Sequence, residues 1–342
     1  MNKHYLYLTP LLVRIKKYLF IIIICLAPWL AHGDHRGDPW GLPIIVSTES
    51  LADNIEIFLP PPPVTTGFEK MVKQLGLKSP KEKKFPFVMF METSSGSDRA
   101  TSSPGVYNPD NDDFYPWTQF FLDNGIAVVQ IHSASARNMK NWEGDQVNTC
   151  LGYNQDPFLA YQIAIKNKKL DPKRFALLGQ SMGGIQVLNT GKDFLHTPLA
   201  AIFALYPACI SFDDEESKNT AEFCKINYSS NNKTAVHILY GNKDDWGNTQ
   251  NSKGESTFSQ CKAKADADPK DNIYFHTLKG AFHAFEGYYD VDREYTPPYV
   301  SGHNQSSVAA INATATVIAH TLSPLWKIKI DPKKVDSRSG TY

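Results

Sequence analysis

Residues 174–190 read RFALLGQSMGGIQVLNT. Arg174 to Leu178 is a mostly apolar run of strand length, and Met182 to about Thr190 has the composition of a helix. Between them, Gly179-Gln180-Ser181-Met182-Gly183 forms a G-x-S-x-G turn. The spacing has a steric reason. A strand that turns sharply into a helix while presenting a serine crowds its own backbone. Glycines two residues before and after the serine remove the Cβ atoms that would collide. Gly184 lets the new helix lie close to the sheet.

Working outward, apolar runs of strand length alternate with helical stretches. Phe85 to Met91 and Ile126 to Ile131 precede the turn; Ala200 to Tyr206, Val236 to Tyr240 and Ile273 to Leu278 follow it. Asp156-Pro157 opens a helix that runs to about Lys168, with Asp156 expected as N-cap. Val308 to Leu322 closes the pattern as an Ala-rich helix. Residues 211–233 and 247–270 read as loops or short helices on the rim. The alternation predicts an α/β fold, a mostly parallel sheet with helices on both faces. No internal repeat is visible.

A serine hydroxyl becomes a nucleophile when a base takes its proton, and the base needs an acid to fix its tautomer. On this strand-turn-helix scaffold the chain order is serine, acid, histidine. His283, in Gly280-Ala281-Phe282-His283-Ala284-Phe285, follows the strand Ile273 to Leu278 by a short loop. Carboxyl ends of parallel strands are where such a group belongs. His276 lies inside that strand and reads as a packed or edge residue. Asp244 and Asp245 follow the strand Val236 to Tyr240 in Gly241-Asn242-Lys243-Asp244-Asp245-Trp246, and the spacing favours Asp244. An acyl-transfer site also needs two donors for an oxyanion. The N–H of Met182 is one candidate, and that of Thr93, in Glu92-Thr93-Ser94-Ser95-Gly96 after the first central strand, is the other.

Composition bounds the rest. The chain has 342 residues, enough for one large α/β domain with additions. Lys plus Arg and Asp plus Glu are both 35, so the net charge is zero and no basic surplus points to a nucleic-acid partner. Arg14, Lys16 and Lys17 precede the apolar run Tyr18 to Ala27, with Ala31 and Gly33 placed for cleavage before Asp34. That is the pattern of a signal peptide over 1–33; an uncleaved anchor is the alternative. The expected location is secreted or periplasmic, with no stable membrane association once the signal is removed. Residues 34–84 form a Pro-rich lead-in, 85–325 the catalytic domain and 326–342 a tail. Cys150, Cys209, Cys224 and Cys261 would remain after cleavage, an even number suited to one or two disulfides, with Cys209–Cys224 the preferred pair. No cysteine pair has zinc-site spacing, so no metal is expected. Asn227, Asn232, Asn304 and Asn312 are sequons.

With these patterns in hand, the chain resembles the dienelactone hydrolase family of α/β hydrolases over about Phe85 to Leu322. The serine, acid and histidine segments carry the resemblance, helped by Tyr206-Pro207-Ala208-Cys209 and by His132-Ser133-Ala134-Ser135-Ala136-Arg137. It implies the α/β-hydrolase fold with an eight-stranded sheet, no cofactor, and cleavage of an ester or lactone. It further implies that Glu92 contacts the nucleophile and that Arg137 meets a substrate carboxylate; a solvated loop acid and a surface arginine are the plain alternatives. The family's nucleophile is cysteine, whereas this chain has Ser181. Trp142, Trp246 and Phe282 are placed to line an apolar rim or to pack under the loops.

The sequence thus predicts an exported serine hydrolase acting on a small-molecule or polymer ester. A serine peptidase on the same fold, and a silent binding protein that kept the scaffold, are the alternatives.

Overall fold

Six consecutive buried residues in Pro86–Met91 alternate between the two faces of a strand, so both faces of the sheet are covered there. The computed structural model describes residues 46–61, 84–93, 101–103, 106–107, 114, 116–139, 155–194, 196–207, 234–244, 254, 256–267, 272–286 and 307–335. Residues 1–42 lie outside this set. The signal-peptide reading and the Cys209–Cys224 pairing fall on residues outside the described ones.

The strands are β1 (Ile55–Phe58), β2 (Phe85–Met91), β3 (Thr101–Ser103), β4 (Val106–Tyr107), β5 (Ala127–Ile131), β6 (Leu170–Gln180), β7 (Leu199–Leu205), β8 (Ala235–Gly241) and β9 (Ile273–Leu278). The helices are α1 (Thr48–Ala52), α2 (Trp117–Asp123), α3 (Ser133–Ala136), α4 (Asp156–Ala164), α5 (Met182–Thr190), α6 (Thr257–Ala267) and α7 (Val308–Trp326). Seven strands make one sheet in the order β1-β5-β2-β6-β7-β8-β9. All neighbours are parallel except β1, which runs antiparallel to β5. The α/β arrangement is therefore the expected one. Seven strands of this sheet lie among the described residues, where eight were expected.

Burial explains which strands were visible in the sequence. The inner strands β2, β5 and β7 are nearly continuous apolar runs, buried almost throughout. The edge strand β1, Ile-Glu-Ile-Phe, is half-buried and only four residues long, and it lies within the segment read as a lead-in. At the other edge, β9 is a mixture of half-buried and exposed positions, and Leu278 alone is buried. Helix α4 ends at Ala164, short of Lys168, because Asn167 closes a turn in which its side-chain oxygen accepts from the Lys169 N–H at 3.0 Å. Helix α7 presents Ile311, Ala315, Ile318 and Leu322 at helical spacing and packs them against β7 and β8.

Chain order sets where a site can form. The chain passes from β2 outward to β5, then returns to the other side of β2 as β6. The carboxyl ends of β2 and β6 meet at this reversal, with Met91 opposite Gly179. A crevice at such a switch point is where open α/β sheets bind ligands.

One polar cluster lies away from that crevice. His237 on β8 places Nδ1 3.0 Å from His276 Nε2 on β9 and Nε2 3.0 Å from Thr321 Oγ1 on α7. Burial, aided by the neighbouring His276, pushes the His237 pKa down to about 4. The unfolded chain takes up this proton near pH 6.5, the folded chain only near 4. Stability is therefore present above about pH 6.5 and is lost as pH falls toward 4, by on the order of 3 kcal/mol. Urea midpoints at pH 7.5 and 4.5 are expected to differ less in His237→Gln than in the wild type; an equal difference refutes this account.

Candidate active site

Ser181 stands at a φ of 51°, in the left-handed region that a residue bearing a Cβ seldom adopts. Two neighbours make the turn possible. A Cβ on Gly179 would lie 2.0 Å from the Gly183 carbonyl oxygen, and one on Gly183 would lie 2.3 Å from that of Met91. Only glycine permits these approaches. The Ser181 N–H donates to the Leu205 carbonyl at 2.9 Å, and the Ser181 carbonyl accepts from Ile185 at 3.2 Å as α5 begins. The serine is thus held from the β7 side and from the helix side.

The loops after β8 and β9 are laced together. The Asn242 N–H donates to Leu278, the Lys243 N–H to Ala281, and the Gly280 N–H to the Asn242 side-chain oxygen at 2.6 Å. Asp244 and His283 ride on these two loops. His283 Nδ1 lies 3.0 Å from Asp244 Oδ2, and His283 Nε2 lies 3.2 Å from Ser181 Oγ. Asp244 is fully buried, whereas the imidazole keeps some exposure. The structure thus brings together Ser181, Asp244 and His283, residues that span 102 positions of chain. Asp245 and Trp246 lie outside the described residues, as does Trp142.

The other expected site residues divide. Met182 heads α5 beside Ser181 and packs with Met139 on Ala134, an apolar cluster separate from the main core. Thr93 follows β2, whose last carbonyls lie against the first turn of α5 at Gly183. Glu92 is buried, and its Oε1 accepts from the Ala134 N–H at 2.5 Å, so it is no solvated loop acid. Phe282 is half-buried with the Lys243 ammonium 5.4 Å from its ring centre. His276 packs against His237, as expected for a strand residue.

Arg137 requires a correction. Its guanidinium fork, expected to meet a substrate carboxylate, is occupied by Asp156: Nη1 to Oδ2 at 2.6 Å and Nη2 to Oδ1 at 3.1 Å. Both side chains are buried. This pairing also takes Asp156 from the capping role. Asp156 is the first residue of α4, and Gln155 is the cap without a side-chain bond. A planar fork and a carboxylate match each other bidentately whether the carboxylate comes from substrate or protein. The sequence cannot tell which.

Sequence reasoning missed one acid. Glu286, three residues after His283, is buried and accepts from three side chains. Oε1 takes the Trp117 indole N–H at 2.9 Å and the Gln180 amide at 3.3 Å, and Oε2 takes the Tyr206 hydroxyl at 2.9 Å. Tyr206 packs on His283, ring centres 4.6 Å apart. The only sequence signal was an acid in the apolar stretch Ala284-Phe285-Glu286. Cys261 on α6 is disulfide-bonded, and its partner sulfur lies outside the described residues.

No protein-family model and no curated protein sequence matches the chain. Solved structures do. Puromycin hydrolase superposes with a TM-score of 0.50 at 14% identity, over 80% of this chain and 37% of that one. The chain thus spans little more than a third of that protein's length. Esterase 2 of the planctomycete Thermogutta terrifontis gives 0.46 at 13% identity, over 80% of this chain and 88% of that one. A dienelactone hydrolase-like promiscuous phosphotriesterase from metagenomic libraries gives 0.44 at 15% identity, over 72% and 88%. The fold is that of the α/β hydrolases.

Removing one partner of a buried pair strands the other charge. Arg137→Ala is expected to cost about 3–5 kcal/mol in urea unfolding, and Arg137→Met with Asp156→Leu to recover most of it. A single substitution that leaves stability unchanged and only weakens substrate binding would restore the substrate role.

Proposed function

We propose that the chain is an exported serine hydrolase that cleaves carboxylic esters or lactones through an acyl-enzyme on Ser181. The observation that carries this reading is the 3.2 Å approach of Ser181 Oγ to His283 Nε2, with Asp244 at the opposite ring nitrogen. Nothing else in an ordinary turn requires a serine, an imidazole and a buried carboxylate in line.

In this reading Ser181 Oγ attacks the carbonyl carbon as its proton passes to His283 Nε2. Asp244 accepts from Nδ1–H, which fixes the tautomer and favours the imidazolium that forms. The N–H groups of Met182 and Thr93 donate to the oxyanion; losing one such donor typically costs about 10²–10³ in rate. The intermediate collapses, and the imidazolium protonates the leaving alcohol. Water, giving a proton to His283, then attacks the acyl carbon and releases the acid. Glu92 steadies the segment that carries Thr93, through its bond to Ala134. Phe282 borders the opening for a small-molecule or polymer ester. The Met139 and Met182 thioethers favour an apolar group beside the nucleophile.

The chain's serine marks it as a variant on the dienelactone hydrolase pattern. Export follows from the signal-like residues 1–33, and the mature protein is expected to begin at Asp34. A serine peptidase on the same fold is the second reading, because a serine, histidine and carboxylate in this arrangement serve amide cleavage as well as ester cleavage. Matched ester and amide substrates separate the two, and clear amide preference would select the peptidase.

Ser181→Ala is expected to keep the wild-type melting temperature and to lower turnover of short p-nitrophenyl esters by on the order of 10³ or more. Wild-type turnover in that variant would remove Ser181 from the chemistry. Failure of a fluorophosphonate to label the wild-type protein would instead favour a silent binding protein on a hydrolase scaffold.

A further inference from the structure

Glu286 has no part in the steps above, yet the fold spends three buried donors on it. The Trp117 indole and the Gln180 amide nitrogen can only donate, and both point at Oε1; the Tyr206 hydroxyl meets Oε2. An acceptor-only carboxylate suits such a set. Burial raises the Glu286 pKa, and the three hydrogen bonds oppose that rise. A buried carboxylate whose hydrogen bonds come from neutral donors is a costly way to fill space.

What it touches explains the cost. Gln180 is the residue before the nucleophile. Tyr206 stands at the end of β7 with a φ of 39°, strained for a tyrosine. Its N–H donates to Leu239 at 2.8 Å, its hydroxyl to Glu286, and its ring lies against His283 at 60°. The charged and titratable groups that face His283 include Asp244 from the loop after β8 and Tyr206 from β7, with Lys243 over the adjacent Phe282.

We propose that Glu286 is a positioning residue of the triad: through Tyr206 it sets the His283 imidazole, and through Gln180 it steadies the Ser181 turn. The inference rests on the hydrolase reading above. It assigns the protein a second buried carboxyl group, linked to the histidine through Tyr206 and separate from Asp244.

The test follows fluorophosphonate labelling of Ser181 in the full chain from about pH 5 to 9, with wild type, Glu286→Gln, Tyr206→Phe and the double variant. Glu286→Gln is expected to label about tenfold more slowly, and its pH midpoint to move about half a unit or more toward acid, because an imidazole held less firmly against Asp244 loses part of the carboxylate contact that favours its protonated form. Tyr206→Phe keeps the ring and removes the link. It is expected to slow labelling and move the midpoint the same way, with the double variant no slower than Glu286→Gln. Should Glu286→Gln not fold, Tyr206→Phe decides alone. Labelled wild type with rate and midpoint unchanged in the variants overturns the inference and leaves the hydrolase reading standing. A slower rate with an unmoved midpoint also overturns it, leaving Glu286 a structural role. Wild type that never labels overturns the hydrolase reading and this inference together.

Discussion

The close approach of two backbones at Gly179 and Gly183 is the constraint on which the rest depends. The β6–α5 turn must fold back so tightly that a Cβ at either position would lie inside van der Waals contact with a carbonyl oxygen. That compression forces Ser181 into the left-handed region and lifts its side chain clear of the sheet. It also seats the first turn of α5 on the last carbonyls of β2, beside Thr93. Asp244 and His283 are arranged around the hydroxyl that this turn presents.

The switch in strand order makes the turn useful. Because β5 and β6 lie on opposite sides of β2, the chain leaves an opening at the carboxyl ends of β2 and β6. The β8 and β9 loops reach the same edge, since all of these strands run parallel. Backbone hydrogen bonds lock those two loops to each other before either side chain is considered. Asp244 and His283 therefore arrive as a paired unit, and the serine meets the pair.

Buried acids show how one residue type is put to different ends by its partners. Asp244 faces an imidazole, Asp156 an arginine fork, Glu92 a backbone amide, and Glu286 three neutral donors. Each satisfies the demand that a buried carboxylate find donors, and only the donor differs. For this reason Arg137 misled a reading by motif. Its neighbours in sequence suited a substrate-facing loop, but the partner that claimed it came from the start of α4. In the same way β1 escaped notice. A short edge strand shows one half-buried face and lacks the apolar run that betrays an inner strand.

What the sequence determined by itself was local. Apolar runs of strand length located β2, β5, β7, β8 and β9, and glycine spacing located the serine turn, because backbone sterics and burial on both faces act over a few residues. Loops after particular strands also marked Asp244 and His283, because in a parallel sheet the carboxyl ends share one edge. The tertiary structure alone decided the pairings: Arg137 with Asp156, His237 with His276, and Glu286 with Trp117, Gln180 and Tyr206. Those contacts join residues 19 to 169 positions apart. A side chain's partner at such separation is set by which strands the sheet makes neighbours, and no residue type carries that information alone.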